Sequence, residues 1–261
     1  MTLSLFSLDE LVLFFFLTVR IGAIVLALPF LGSRTFPAQA KIVFIFLLSF
    51  GLYPIVQAKG FVVPQTTGHL GLLILGELAT GMTIGFVVQI LFAGIQLAGE
   101  LMGHQMGLNL SSIFDPQNGQ QSSLIAHFQY VLALLLFFSL HAHHWFIYAM
   151  AESLHRVPLL GFTFQKMVVA SFITLLGNMF IMAIKIGAPV IVVLLLSTLA
   201  MGIVARLVPQ MNIFILSFPL SLSIGLIVLG FSLPYILQEL QTLFGQLGQQ
   251  LFLVIRLIGT G

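Results

Sequence analysis

Cysteine is absent from the 261-residue chain, which excludes disulfides and thiolate metal sites. Charge is scarce as well. Nine Lys or Arg and seven Asp or Glu make up 6% of the residues, against about 25% in a soluble domain. So few charges cannot cover a 28.6 kDa particle with a water-facing surface. Disorder is excluded, because it requires low hydrophobicity and high charge. A nucleic-acid binder needs a basic stripe, and a net charge of +2 spread along the chain supplies none. The pI near 9.2 therefore carries little meaning. Also missing are a phosphate loop, a Gly-x-Ser-x-Gly elbow, a dinucleotide fingerprint and a His-Glu-x-x-His pair. The first ten residues hold no basic cluster, and Asp9 and Glu10 have the wrong sign for a cleaved secretory signal. The first apolar run is expected to stay in the mature protein.

What is abundant is apolar: 59% of the residues are hydrophobic and the mean hydropathy is +1.16. Two classes remain, a polytopic membrane protein or a subunit that buries nearly all its surface in a larger assembly. Six apolar stretches run over residues 11–31, 42–56, 70 to beyond 97, 124–148, 167–206 and 213–237. A spanning helix needs about 20 apolar residues. Four stretches match roughly and the second is short. Breaks fall at residues 32–37, 59–68, 115–119 and 157–158 and at Pro209. Two stretches are too long for one span. The third can stay helical from residue 70 to about 103, and the fifth is either equally long or two helices hinged at Gly187-Ala188-Pro189. Such helices either project from the bilayer or pack in protein rather than lipid. On a six-span arrangement Arg34, Lys41 and Arg206 oppose Lys59, Arg156, Lys166 and Arg256, a balance that sets no orientation.

From residue 238 to 258 the pattern changes. Leu240, Phe244, Leu247, Leu251, Val254 and Ile258 recur at steps of four and three, while Gln241, Thr242, Gln246, Gln249 and Gln250 take the other side. This predicts an amphipathic helix with an uncharged polar face. A membrane-surface helix is usually rich in Lys and Arg there, so a partner helix is the better expectation.

Ionisable groups inside the apolar stretches are Arg20, Glu77, Glu100, Lys185 and Arg206. An unpaired charge in lipid costs several kcal/mol. These residues are therefore expected as buried polar or inter-subunit contacts, with proton coupling as the sharper alternative. Glu77 and Glu100 are 23 residues apart, more than six helical turns, and cannot share one site on a straight helix. His141 and His144 have the spacing of a helical ligand pair, with Glu152 and His155 following. Trp145 and Tyr148 beside them favour a polar boundary at the end of a span. Gly81 and Gly85, then Gly99, Gly103 and Gly107, stand four apart and predict a tightly packed helix. The next segment is the most distinctive. It is rich in Ser, Gln and Asn, and holds Asp115-Pro116, which forbids a continuing helix, and the turn dipeptide Asn118-Gly119. It is either an exposed loop or backbone facing protein or a water-filled path.

The run from Gly99-Glu100-Leu101-Met102-Gly103 through Phe114-Asp115-Pro116 resembles the FliR family of flagellar export-gate proteins, whose outline a virulence type III secretion subunit shares. His143-His144-Trp145-Phe146, Arg206-Leu207-Val208-Pro209-Gln210-Met211-Asn212-Ile213-Phe214 and Ser217-Phe218-Pro219-Leu220 agree with it. The likeness covers essentially the whole chain, from Arg20 and Pro29-Phe30 to the amphipathic tail. It implies an all-α polytopic membrane-associated protein of long helical hairpins, one domain over residues 1–261, within a helical hetero-oligomeric gate. Implied partners are FliP and FliQ, which form the pore with it, the FlhA and FlhB proteins of the export apparatus, and unfolded flagellar substrates. No nucleic acid, cofactor or metal is implied, and no catalytic role. The implied location is the inner membrane at the flagellar basal body. A loop over about residues 104–123 is expected to plug the closed pore, with Gly107, Ser111, Ser112, Ile113, Phe114, Asp115 and Pro116 as its residues and Ile113 and Phe114 as apolar tips. Two other functions compete: a proton-coupled secondary transporter using Glu77, Glu100 or Lys185, and an intramembrane enzyme using the His141 cluster.

Overall fold

The computed structural model describes residues 8–33, 36–57, 67–108, 123–157, 159, 166–210 and 212–259. Seven helices and no strand occur among them: α1 (Leu8–Ala27), α2 (Ala38–Gln57), α3 (Thr67–Gln105), α4 (Leu124–Ser139), α5 (His143–Arg156), α6 (Lys166–Leu207) and α7 (Ile213–Gly259). The all-α expectation holds. Five helices are long and apolar enough to cross a membrane, or six spans if α4 and α5 count as one.

The structure chooses between the two readings of the fifth stretch and adds a break in the fourth. α6 runs unbroken for 42 residues through Pro189, so the hinge at Gly187-Ala188-Pro189 does not form. α7 runs for 47 residues through Pro219 and Pro234 and joins the sixth stretch to the amphipathic tail. In apolar surroundings a helix tolerates proline, because the alternative exposes still more unpaired backbone. The fourth stretch does break, between Ser139 and His143, where His141 takes a left-handed φ of 54°. No glycine or proline marks that break in sequence.

Close contacts divide the chain into two compact units, one of Met1–Ile90, His141–Leu175 and Gly245–Gly261, the other of Leu91–Leu140 and Leu176–Phe244. In the first, α1 packs on α2 through Phe14, whose ring lies 6.2 Å from Phe46 and 6.0 Å from Tyr53. α3 reaches α1 at Gly81. A Cβ there would stand 2.6 Å from both the Arg20 carbonyl and the Ala23 methyl, so only glycine permits the approach. The tail reaches α5, with Gly248 under the Trp145 indole and Phe252 edge-on to it at 6.1 Å. Leu247, Leu251, Val254 and Ile258 are all buried. The tail's apolar side is thus covered by this chain itself, and the expected partner helix is α5. The reason is that α5 supplies an apolar face of its own, through Phe146, Ala149 and Met150.

The second unit is centred on phenylalanine. Phe92, Phe137 and Phe244 meet pairwise at 5.6–5.9 Å between ring centroids, and Tyr130 joins Phe92 at 5.8 Å. Edge-on and tilted rings of this kind contribute about 0.5–1.5 kcal/mol per pair beyond the area they bury. Gly99 lies against the backbone of Ala126 in α4, where a Cβ would come within 2.7 Å of the Ala126 nitrogen. Backbone cannot yield there. Gly99→Leu should overpack the contact by about 1–3 kcal/mol. The expected result is a melting temperature several degrees lower for the purified protein in detergent, at about 2–4 °C per kcal/mol. An unchanged melting temperature would show that α3 and α4 do not approach this closely.

Candidate functional site

Two polar clusters are built into the apolar frame, one in each unit. The first begins with Arg20 in α1 and Glu77 in α3, both 1% exposed. Glu77 precedes Gly81 by four residues and so shares its face of α3, and the close approach at Gly81 brings the carboxylate to the guanidinium. The pairing is bidentate: Arg20 Nε donates to Glu77 Oε2 at 2.5 Å and Nη2 donates to Oε1 at 3.0 Å. Arg20 Nη1 then donates to the carbonyls of Ser153 at 3.2 Å and Val157 at 2.8 Å. Those carbonyls lie at the C-terminal end of α5, which carries a partial negative charge, and Ser153 O also accepts from the Val157 N–H at 2.9 Å. One guanidinium thus ties three helices together, and its planar fork suits that task better than an ammonium group.

The second cluster brackets the polar mid-sequence segment. α3 ends in a Schellman motif: Leu108 N–H donates to Gly103 O and Gly107 N–H to His104 O, both at 3.0 Å, with Gly107 at φ 78°. Gly107 is therefore the glycine that stops α3, and the predicted close-packed helix ends just before it. α4 starts at Ser123, whose hydroxyl accepts from Ile125 N–H at 3.3 Å and whose own N–H donates to Glu100 Oε1 at 3.0 Å. Glu100 places negative charge at the positive end of α4. Of the residues expected in the plug, Gly107 is described; Ser111, Ser112, Ile113, Phe114, Asp115 and Pro116 lie outside the described residues.

Lys185 and Arg206 stand apart from both clusters, on exposed positions of α6. Among the described residues the Lys185 backbone, not its ammonium group, has a long-range contact: Tyr235 Oη donates to Lys185 O at 3.3 Å. The His141, His143 and His144 rings gather with centroids 4.4–5.9 Å apart. No group of three or more His, Asp or Glu side chains fit to hold a metal ion is found among the described residues. An apolar groove of about 710 Å³ between α1, α2 and α3 is lined by Phe15, Leu26, Ile42, Phe46, Met82 and Phe86, and no titratable side chain borders it.

Sequence reading missed the acceptors Ser153 and Val157, since main-chain carbonyls leave no mark in a sequence. It also missed Gln129 in α4, fully buried with neither amide atom hydrogen-bonded among the described residues. A glutamine within an apolar stretch is the signal that could have found it.

Fold and clusters together define an all-α polytopic membrane protein whose buried charges lock helices to one another and whose clusters include no recognisable catalytic constellation. The chain belongs to the bacterial export proteins, family 1, which match it over residues 11–247. It is similar to the flagellar biosynthetic protein FliR of Pectobacterium carotovorum subsp. carotovorum, 32% identical over 236 residues, 89% of this chain and 88% of the relative. The protein of the same name from Bacillus subtilis (strain 168) is 32% identical over 251 residues, 94% of this chain and 95% of its own length. That of Escherichia coli (strain K12) is 28% identical over 235 residues, 90% and 89%.

Proposed function

We propose that the chain is a non-enzymatic subunit of the flagellar type III protein export gate in the bacterial inner membrane, at the basal body. With FliP and FliQ it forms the pore through which unfolded flagellar proteins leave, and FlhA and FlhB work beside it. The mid-sequence segment plugs the resting pore. Lys185 and Arg206 contact neighbours outside this chain, while Arg20, Glu77 and Glu100 fix its own helices. The full-length similarity to proteins named for flagellar biosynthesis supports this reading.

The observation that carries it is the mismatch between helix length and bilayer. Helices of 39, 42 and 47 residues are about 58–70 Å long, twice a hydrocarbon core of about 30 Å. They also present large apolar side chains along much of that length, among them Leu72, Leu75, Phe180, Ile181, Leu199 and Phe231. Lipid cannot cover all of it, so protein neighbours must. A lone proton-coupled carrier fits less well, because both oxygens of Glu77 are taken by Arg20 and Glu100 holds the start of α4.

Purification of the tagged chain in mild detergent tests the proposal. FliP-like and FliQ-like subunits are expected to travel with it in a defined complex. A stable, monodisperse lone chain would overturn the reading.

A further inference from the structure

The length of α6 and α7 raises a question that function does not answer: which part lies in lipid. α6 ends at Leu207 and α7 begins at Ile213, five residues separating them in sequence. Lys185 stands 22 residues before Leu207, where α6 ends, and Tyr235 stands 22 residues after Ile213, where α7 begins. These two residues touch, Tyr235 Oη to Lys185 O. The legs are therefore of equal length and return to one level, as in an antiparallel hairpin. Between that level and the turn, residues 186–205 and 213–234 hold no charged residue. Twenty and twenty-two residues make about 30 and 33 Å of helix, one hydrocarbon core each.

On α7 the exposed surface changes character near this level. Before Tyr235 it includes the large apolar side chains Ile215, Leu216, Phe218, Leu226, Ile227 and Phe231, the last 82% exposed, with Ser223 the exposed polar residue among them. Beyond it the exposed positions are mostly polar, among them Gln238, Gln241, Thr242, Gln246, Gln249 and Arg256, with Leu253 the exposed large apolar residue. Three of the hydroxyls on the hairpin are satisfied by their own helix: Thr198 donates to Leu194 O at 2.9 Å, Ser223 to Pro219 O at 2.8 Å and Ser232 to Leu229 O at 3.0 Å. These three need no water. Lys185 and Tyr235 at a single level, with Glu239 one turn further along α7, are what a membrane–water boundary selects, through a snorkelling ammonium and an amphipathic ring.

We infer that the hydrocarbon core encloses residues 186–205 of α6 and 213–234 of α7, with Lys185, Tyr235 and Glu239 near one boundary and Arg206 at the other. The remaining halves of both helices stand outside the hydrocarbon. Exposed Phe180, Ile181 and Ile184 on α6 are then covered by protein, and the glutamine face of α7 meets water or protein. This placement rests on the membrane location proposed above and adds the depth.

The absence of cysteine allows a clean test. Leu199→Cys, Phe231→Cys, Ile181→Cys and Gln241→Cys each give the full-length chain one thiol at an exposed position, where packing is undisturbed. Each variant is labelled with a small fluorophore and its purified complex is reconstituted into vesicles with or without phospholipid brominated on the acyl chains. Positions 199 and 231 are expected to lose about half their emission or more in brominated lipid, and positions 181 and 241 to lose little. Quenching at 181 and 241 but not at 199 and 231 overturns the placement and leaves the membrane reading intact. Equal quenching at all four overturns the boundary. Quenching at none overturns the membrane reading itself.

Discussion

Replacing Glu77 by Leu should remove most of the protein from the membrane fraction, and replacing Glu77 by Leu together with Arg20 by Met should restore much of it. Both side chains are 1% exposed, and the guanidinium is paired with this carboxylate. Taking away one partner leaves a buried charge uncompensated, which costs about 3–5 kcal/mol. Domains are stable by only about 5–15 kcal/mol, so the single change consumes a large share of the total. The double replacement removes both charges and fills similar volume with apolar atoms, which is often nearly neutral. Recovery should stop short of the parent level, because the Val157 carbonyl loses the donor that Arg20 supplied, while the Ser153 carbonyl keeps the Val157 N–H. Losing the donor to Val157 costs about 1–3 kcal/mol if the acceptor stays buried.

The exchanged pair Arg20→Glu with Glu77→Arg separates charge from direction. It keeps an ion pair but turns a carboxylate toward two carbonyl oxygens at the negative end of α5. Membrane abundance of the exchanged pair should fall below that of the apolar double variant. Immunoblots of membrane fractions, with melting of the detergent-purified complex, measure all four proteins. Full recovery in the exchanged pair would mean that the ion pair alone matters and that Arg20 does not hold the end of α5.

How far the sequence spoke depends on the range of the interaction involved. The steps of four and three from Leu240 to Ile258 named the buried face of the tail, because periodicity is a local property of one helix. Gly81 and Gly99 were legible as small-residue faces for the same reason. What each faces was not, since Ala23 and Ala126 come from other elements. Arg20 and Glu77 were both picked out as costly charges, yet they are 57 residues apart and nothing in their spacing pairs them. Local punctuation was an incomplete guide. At Pro189 the sequence left one long helix or two open, and apolar surroundings override the proline penalty there, as they do at Pro219 and Pro234. His141 ends a helical path with a left-handed turn that no glycine announces. That the helix meeting the tail is α5 was hidden for the same reason: a sequence shows that a face is apolar, and packing decides what meets it.

Deletion of residues 111–117 should leave accumulation and assembly unchanged and make the resting membrane leak ions. The stems of the segment are secured independently of its middle. α3 is stopped by the Gly107 motif, while α4 begins at Ser123, which is held by Glu100 and backed by the contact of Gly99 with Ala126. Glu100 and Gly107 are seven residues apart along one helix end, about 10 Å. The gap from residue 108 to residue 123 is therefore modest. Seven residues of the segment survive the deletion, enough to reach about 23–25 Å when extended. Closure of the shortened loop demands no change in either stem. The residues removed include Ile113, Phe114, Asp115 and Pro116, the apolar tips and the turn assigned to the plug. A pore left without them should lose its barrier while its walls stay in place. Co-purification of the partner subunits checks assembly, and a membrane-potential dye in intact cells checks the leak. Partners retained with the potential unchanged would remove the plug from this segment. Partners lost would make the segment a structural tie, and the resting barrier would then have to be sought elsewhere in the assembly.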